Sequence, residues 1–261
     1  MKKHILMAAL LLFTIACSQN KNSSTTQNQA DTITYETASF YKSSTECNTN
    51  TCGAYVKATY PVFKDDALNS FVMGKITIKP FDSVSYNALD IAADSFINEY
   101  VNFKKEYPET AGGYEWIQNL KVSYQNAKTI NFTHSSYGYT GGAHGLENTL
   151  YYNLAKPSYT QLSLKDLFKA GYETELAKIA EQIFRSNEKL SEEDSLSDGY
   201  FFDDGKFSLT SNFLITKDGI LFTYNPYEIK AYAYGSTDLL IPYQQIQHLI
   251  KSDSILAEHI Q

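Results

Sequence analysis

Three stretches rich in tyrosine and β-branched residues follow one another at residues 114–124, 129–137 and 146–154, and they constrain the fold more than any other part of the chain. Side chains alternate across a strand, so the mixed apolar and polar pattern of each stretch suits a half-buried antiparallel sheet. The last two stretches are separated by Tyr137-Gly-Tyr-Thr-Gly-Gly-Ala-His-Gly145, which holds four glycines in nine residues. Glycine tolerates positive φ and lets other groups approach the backbone closely, so this is a shaped loop. Two readings stand at this point. It turns one strand into the next, or it is a recognition loop on a rigid scaffold that presents Tyr137, Tyr139 and His144.

The flanking sequence supplies helices. Residues 85–105 carry Leu89, Ala93, Phe96, Tyr100 and Phe103 at spacings of three and four, which predicts one apolar helical face. Residues 173–185 repeat the pattern with Leu176, Ile179, Ala180, Ile183 and Phe184. Asp65-Asp66 ahead of 67–72 marks a helix start, and Ser163-Leu-Lys-Asp166 reads as a capping box. Residues 32–42 and 53–63 read as strands. Lys217-Asp-Gly219 between apolar runs predicts a hairpin, residues 238–241 a last strand, and Pro242 the start of a helix over 243–251. The expected class is α+β: antiparallel sheets with packed amphipathic helices, in two sequence halves (32–156 and 157–261) that form one compact unit.

The N-terminus has a different character. Met1-Lys-Lys-His4 precedes an uncharged run from Ile5 to Ala16, a basic start and short apolar stretch that predict an export signal over 1–16. It ends at Thr14-Ile-Ala-Cys17, which resembles the lipobox of bacterial lipoproteins and implies lipidation of Cys17 after cleavage. Residues 17–31 are rich in Ser, Asn, Gln and Thr, too polar to bury a core, and read as a flexible tether. The protein is therefore expected in the bacterial cell envelope, held to a membrane through its lipid, periplasmic or surface-exposed.

Of the three cysteines, Cys47 and Cys52 remain, four polar residues apart in an exported chain where disulfides persist; they are expected to pair. Formal charge is −7, with 22 basic against 29 acidic side chains, and loss of Lys2 and Lys3 with the leader makes it more acidic. No basic patch is present to neutralise phosphates, which argues against nucleic acid and favours basic partners. No metal or other cofactor is expected. The acidic residues of 186–205 match no calcium loop and read as a solvated segment.

A catalytic reading would draw on His134, Ser135, Ser136, His144 and Glu147. A histidine beside a serine can act as base to a nucleophile, but no Gly-x-Ser-x-Gly elbow is present and the spacing fits no zinc motif. No catalytic residue is assigned. A binding reading uses the same loop as a contact surface, with the 21 tyrosines and Trp116 as contact residues or as core and sheet filling.

Tyr139-Thr-Gly-Gly-Ala-His-Gly145, Leu162-Ser-Leu-Lys-Asp-Leu-Phe168, and Pro226-Tyr-Glu-Ile-Lys-Ala-Tyr-Ala-Tyr-Gly235 followed by Leu240-Ile-Pro-Tyr243 together resemble a family of bacterial envelope domains of unknown function. That family includes the lysozyme-binding ectodomain of the anti-sigma-V factor RsiV and domains that precede the catalytic domain of the peptidoglycan deacetylase PdaC. The resemblance covers roughly residues 32–250, so the domain transfers, and neither the sigma-factor segment nor the deacetylase domain does. It implies a non-catalytic envelope lipoprotein with an RsiV-like domain, binding a basic protein such as lysozyme or the peptidoglycan glycan. The alternative it leaves is an envelope hydrolase or a deacetylase-accessory domain acting on peptidoglycan.

Overall fold

The computed structural model describes residues 32–44, 53–81 and 84–260. The expected leader, Cys17, the 17–31 tether, Cys47 and Cys52 lie outside them.

Six strands form the larger sheet in sequence order: β1 (Tyr35–Ser43), β2 (Ala54–Phe63), β3 (Tyr114–Gln125), β4 (Thr129–Tyr139), β5 (Leu146–Ala155) and the two-residue β6 (Thr160–Gln161). Every neighbouring pair is antiparallel except β2 with β3, which run parallel. The chain between those two strands explains the exception. It contains α1 (Asp66–Ile76) and α2 (Leu89–Glu106), a crossover long enough to carry the chain back to the end where β2 began.

Both helices cover one face of this sheet. Asp65 caps α1, its Oδ1 accepting from the backbone N–H of Ala67 at 2.9 Å and Leu68 at 3.2 Å. Buried Leu68, Val72 and Ile76 of α1, and Leu89, Ala93 and Phe96 of α2, meet Val56, Trp116, Leu120, Ile130, Phe132 and Leu154 of the sheet. Full burial of one such side chain stabilises by about 1.5–3 kcal/mol, so this cluster fixes which face of the sheet is inner. The second helix begins at Leu89, four residues later than the periodicity predicts. Ser85 is held in an isolated bridge to Ile78, and the Tyr86 N–H donates to the Thr77 carbonyl, so this backbone is extended.

The second half builds its own core. The three-stranded sheet β7 (Phe213–Ile215), β8 (Gly219–Tyr224) and β9 (Thr237–Pro242) is antiparallel throughout, and Lys217-Asp218 makes its first turn as expected. Buried Leu176, Ala180 and Phe184 of α4 (Glu173–Glu188) pack with Phe222, Leu239 and Ile241. The short α3 (Leu164–Leu167) has the expected box: the Asp166 Oδ2 accepts from the Ser163 N–H at 2.8 Å and from its hydroxyl at 2.5 Å. The terminal helix is only α5 (Tyr243–Ile246), continued as a 3-10 turn. Ile250 bridges Phe168, and Leu167 and Lys169 exchange backbone hydrogen bonds with Lys251 and Leu249, which draws the chain out of the helix.

Asparagines join the halves, which belong to a single contact unit spanning residues 31–261. Asn131 and Asn153 are paired on β4 and β5, on the face away from the helices. Their side chains serve the backbone of β7, whose outer edge no strand covers. Asn153 Nδ2 donates to the Phe213 carbonyl at 2.7 Å, and its Oδ1 accepts from the Ile215 N–H at 2.8 Å. Asn131 Nδ2 donates to the Ile215 carbonyl at 3.0 Å. The service is returned. Asn212 Oδ1 accepts from Tyr151 N–H at 2.9 Å and Asn225 Oδ1 from Thr149 N–H at 2.6 Å, on the stretch of β5 that the short β6 leaves unpaired. An exposed edge is a template for unwanted pairing. Here two edges are closed by side-chain amides that imitate a neighbouring strand.

Candidate functional site: a tyrosine-lined corner between the halves

Strand alternation decides where each candidate residue points. Trp116, Leu120, His134 and Gly138 lie on the helix-covered face. Tyr55, Glu115, Tyr137, Tyr139 and Glu147 lie on the opposite face; Tyr55 pairs with Glu115 and Glu115 with Tyr139, while Tyr137 pairs with Glu147. Beyond Tyr55, Tyr41 stacks on it with centroids 6.2 Å apart. One half of the outer face is thus a field of tyrosines and glutamates. The other half, around Asn131 and Asn153, is covered by the second sheet.

Their proximity on this face shifts the phenols. Burial, then the Glu115 carboxylate, push the Tyr55 phenol up to about 12. Tyr137 is raised by burial, then by Glu115, Tyr232, Tyr139 and Glu147. The Tyr55 and Tyr137 hydroxyls therefore stay protonated at neutral pH and remain hydrogen-bond donors.

The glycine-rich loop forms the rim of this field. Tyr137 turns its ring over Gly145: a Cβ placed there would lie 2.4 Å from the ring, so only glycine lets the loop close down. Tyr139 braces the loop, its hydroxyl donating to the Gly142 carbonyl at 2.9 Å. His144 is exposed and reaches across to the second half. Its ring stacks on Tyr232, with centroids 3.8 Å apart and planes 10° from parallel, and lies 6.3 Å from Tyr227. Its Nε2 is 3.3 Å from the Tyr227 hydroxyl. Tyr227 holds φ at +72° and is about half exposed, and Tyr234 is 70 % exposed. A non-glycine residue in the left-handed region is held there by its surroundings, and such strain collects at functional sites.

Where the wall of the second half meets the floor of the sheet, a cavity of about 260 Å³ opens between Glu147, Asn148, Asn225 and Tyr232. A neighbouring depression of about 220 Å³ shares Glu147 and Asn148 and extends over Ser135 and Tyr137.

The three expected contact residues therefore come together, in different roles. Tyr137 and His144 face the corner, and Tyr139 supports the loop. The catalytic set does not assemble: His134 and Ser136 face the helices, whereas Ser135 and Glu147 face the open side. Among the described residues no group of three or more His, Cys, Asp or Glu could hold a metal ion, and no helix is long and apolar enough to cross a membrane. Trp116 is fully buried and makes no part of this surface. Tyr227 and Tyr232 were legible only as members of the Pro226–Gly235 motif; residue type alone did not single them out.

Two family descriptions match the chain, "Deacetylase PdaC" over residues 46–147 and "Protein of unknown function (DUF3298)" over residues 165–244. The chain is thus similar to the PdaC family in its first half and to the DUF3298 family in its second. Among solved structures it is similar to a DUF3298 family member from Bacteroides fragilis NCTC 9343, at 25% identity with a TM-score of 0.69, over 88% of this chain and 98% of that one. It also shares its fold with a DUF3298 family protein from Pseudomonas aeruginosa PAO1, at 22% identity and a TM-score of 0.65, over 85% and 95% of the two chains. Comparison with curated proteins gives no match. The family boundaries divide the corner: the floor and the loop fall in the PdaC-like segment, and Asn225, Tyr227 and Tyr232 in the DUF3298 segment.

Proposed function

We propose that this protein is a binding module of the bacterial cell envelope, lipid-anchored through Cys17, that captures a basic protein of the lysozyme type on the tyrosine-lined corner. The observation that carries the reading is the stack of His144 on Tyr232 beside exposed Tyr227. It ties the glycine-rich loop to the second half and builds a rigid aromatic edge. Tyrosine gives large contact area with few rotatable bonds, so little entropy is lost when a partner lands on it. Glu115 and Glu147 stand among the tyrosines, and the chain carries an excess of acidic groups. An acidic surface speeds encounter with a basic partner and makes it sensitive to salt.

A second reading is supported by the cavity alone. Tyr232 beside Glu147 offers an aromatic wall with a carboxylate partner, a set that suits a cell-wall sugar.

Calorimetric titration of a basic lysozyme into the purified protein tests the first reading. Binding is expected at low salt, weaker at high salt, and weaker again in Tyr232→Ala with its fold intact. Absence of heat at either salt would remove the protein-capture reading. Retained binding of soluble peptidoglycan fragments in that case would select the glycan.

A further inference from the structure

Glu147 lies where the two depressions beside the tyrosine corner adjoin, and it lines both. It points away from the helices on β5, directly opposite Tyr137 on β4. Tyr232 walls the larger cavity, of about 260 Å³, and Tyr137 walls the smaller. His144 stacks on Tyr232 but does not line the cavity, so the stack and the cavity use different parts of that tyrosine. Thr149 and Ser236 also line the larger cavity, and neither hydroxyl makes a hydrogen bond among the described residues.

The Glu147 carboxylate is exposed and makes no hydrogen bond or ion pair among the described residues. Among those residues it is the one carboxylate that lines either depression, and no Lys, Arg or His lines them. Along its row of the sheet the order is Glu147, Tyr137, Ile117, Lys57, so the first cation of that row is three strands away, roughly 14 Å. Exposed charges are screened over about 8 Å at physiological salt, so Lys57 does not neutralise it. The described residues that flank positions 45–52 and 82–83 also lie elsewhere. Ser44 and Gly53 adjoin β1 and β2, and Phe81 rests on Gly138, on the helix-covered face.

A partner that settles on the corner covers Glu147 and takes its charge out of water. That destabilises the complex unless the partner supplies a cation. Arginine suits the place better than lysine. Its planar guanidinium presents paired N–H groups that match the two carboxylate oxygens, and it lies flat against an aromatic ring; an ammonium is a compact, strongly hydrated point charge. The remaining N–H groups need acceptors, and the Thr149 and Ser236 hydroxyl oxygens provide them. A cavity of about 260 Å³ has room for the guanidinium and part of its methylene stem.

We infer that Glu147 and Tyr232 form a socket for one arginine side chain of the captured basic protein. The carboxylate pairs with the guanidinium, Tyr232 flanks its plane, and Thr149 and Ser236 accept from its outer N–H groups. The socket rests on the protein-capture reading and names the contact by which the corner selects its partner. Charge-assisted hydrogen bonds are stronger than neutral ones, so neutralising either member of the pair weakens binding about tenfold or more.

The isotope-labelled full-length protein is titrated with acetyl-arginine methylamide at constant ionic strength and followed by amide NMR. The citrulline analogue, of the same shape without the charge, is the comparator. The expected result is a saturable shift of the Glu147, Thr149 and Ser236 signals, at least about tenfold weaker with citrulline and at least about tenfold weaker in Glu147→Gln. Glu147 is exposed and makes no hydrogen bond, and far-ultraviolet circular dichroism verifies that the variant folds. No saturable shift, an equal response to citrulline, or unchanged affinity in folded Glu147→Gln overturns the socket. A response to tri-N-acetylchitotriose alone overturns it too and gives the cavity to a sugar. The probe contains no partner protein, so the two readings fail separately. Lysozyme heat without probe binding removes the socket alone, and probe binding without lysozyme heat removes the capture of lysozyme alone.

Discussion

Replacing Asn153 by alanine removes one side chain and strands two backbone groups. Asn153 is buried between the two sheets, where its amide bonds the Phe213 carbonyl at 2.7 Å and the Ile215 N–H at 2.8 Å. Neither group has another strand beside it, because β7 is an edge of its sheet. Leaving a buried donor or acceptor unsatisfied costs about 1–3 kcal/mol each, so the pair should cost about 4 kcal/mol. Against a total stability of roughly 5–15 kcal/mol this is a large share. For a domain of this size it corresponds to a fall in Tm of roughly 10 °C. Scanning calorimetry and urea titration measure it. Asn119→Ala is the internal control: that asparagine bonds Thr59 on an exposed part of the sheet and should change stability by less than about 1 kcal/mol. If Asn153→Ala costs no more than the control, the amide clasp does not hold the halves together and the reasoning fails.

Four further outcomes are expected. Gly145→Ala forces the Tyr137 ring off the loop, because the new Cβ would lie 2.4 Å from it; lysozyme binding should weaken while the melting temperature shifts by only a few degrees, roughly what 1–2 kcal/mol produces. His134 is held near 4 in the folded chain against 6.5 when free, so the unfolded state binds the extra proton and stability falls as pH drops from about 6.5 to 4. The difference amounts to roughly 3 kcal/mol; urea titrations at the two ends should show this loss in the wild type and a smaller one in His134→Gln. Radiolabelled palmitate should enter the wild type and not Cys17→Ser, and equal labelling would rule out the lipid site. Mass spectrometry of non-reduced, exported protein should find Cys47 and Cys52 bridged; two free thiols would exclude the pair.

The parts of the fold that depend on neighbours in sequence were legible beforehand. Asp65 caps a helix, Ser163 and Asp166 form their box, and Asp218-Gly219 turns a hairpin, because capping and turn chemistry act over two to four residues. The three tyrosine-rich strands and the faces of α2 and α4 followed from periodicity. What depended on distant partners was not legible. The parallel pairing of β2 with β3 arises from two helices that run back between them. Asn131 and Asn153 were not singled out, since nothing in a strand pattern tells that an edge 60 to 84 residues later will need their amides. Trp116 read equally as a contact or a core residue, and alternation on β3 put it in the core. At the candidate site, the loop was found by its glycines and His144 by its place within it. The ring it stacks on, Tyr232, was one of 21 tyrosines until the fold brought the two motifs together.

The account's central claim is that the open tyrosine-lined face and the His144–Tyr232 corner form one binding surface assembled from both halves. Hydrogen–deuterium exchange of the full-length protein with and without a basic lysozyme tests it most directly. Slowed exchange confined to residues 137–149 and 225–236, diminished in His144→Ala, is the predicted result. Protection on α1 and α2 instead, or no protection anywhere, would contradict it.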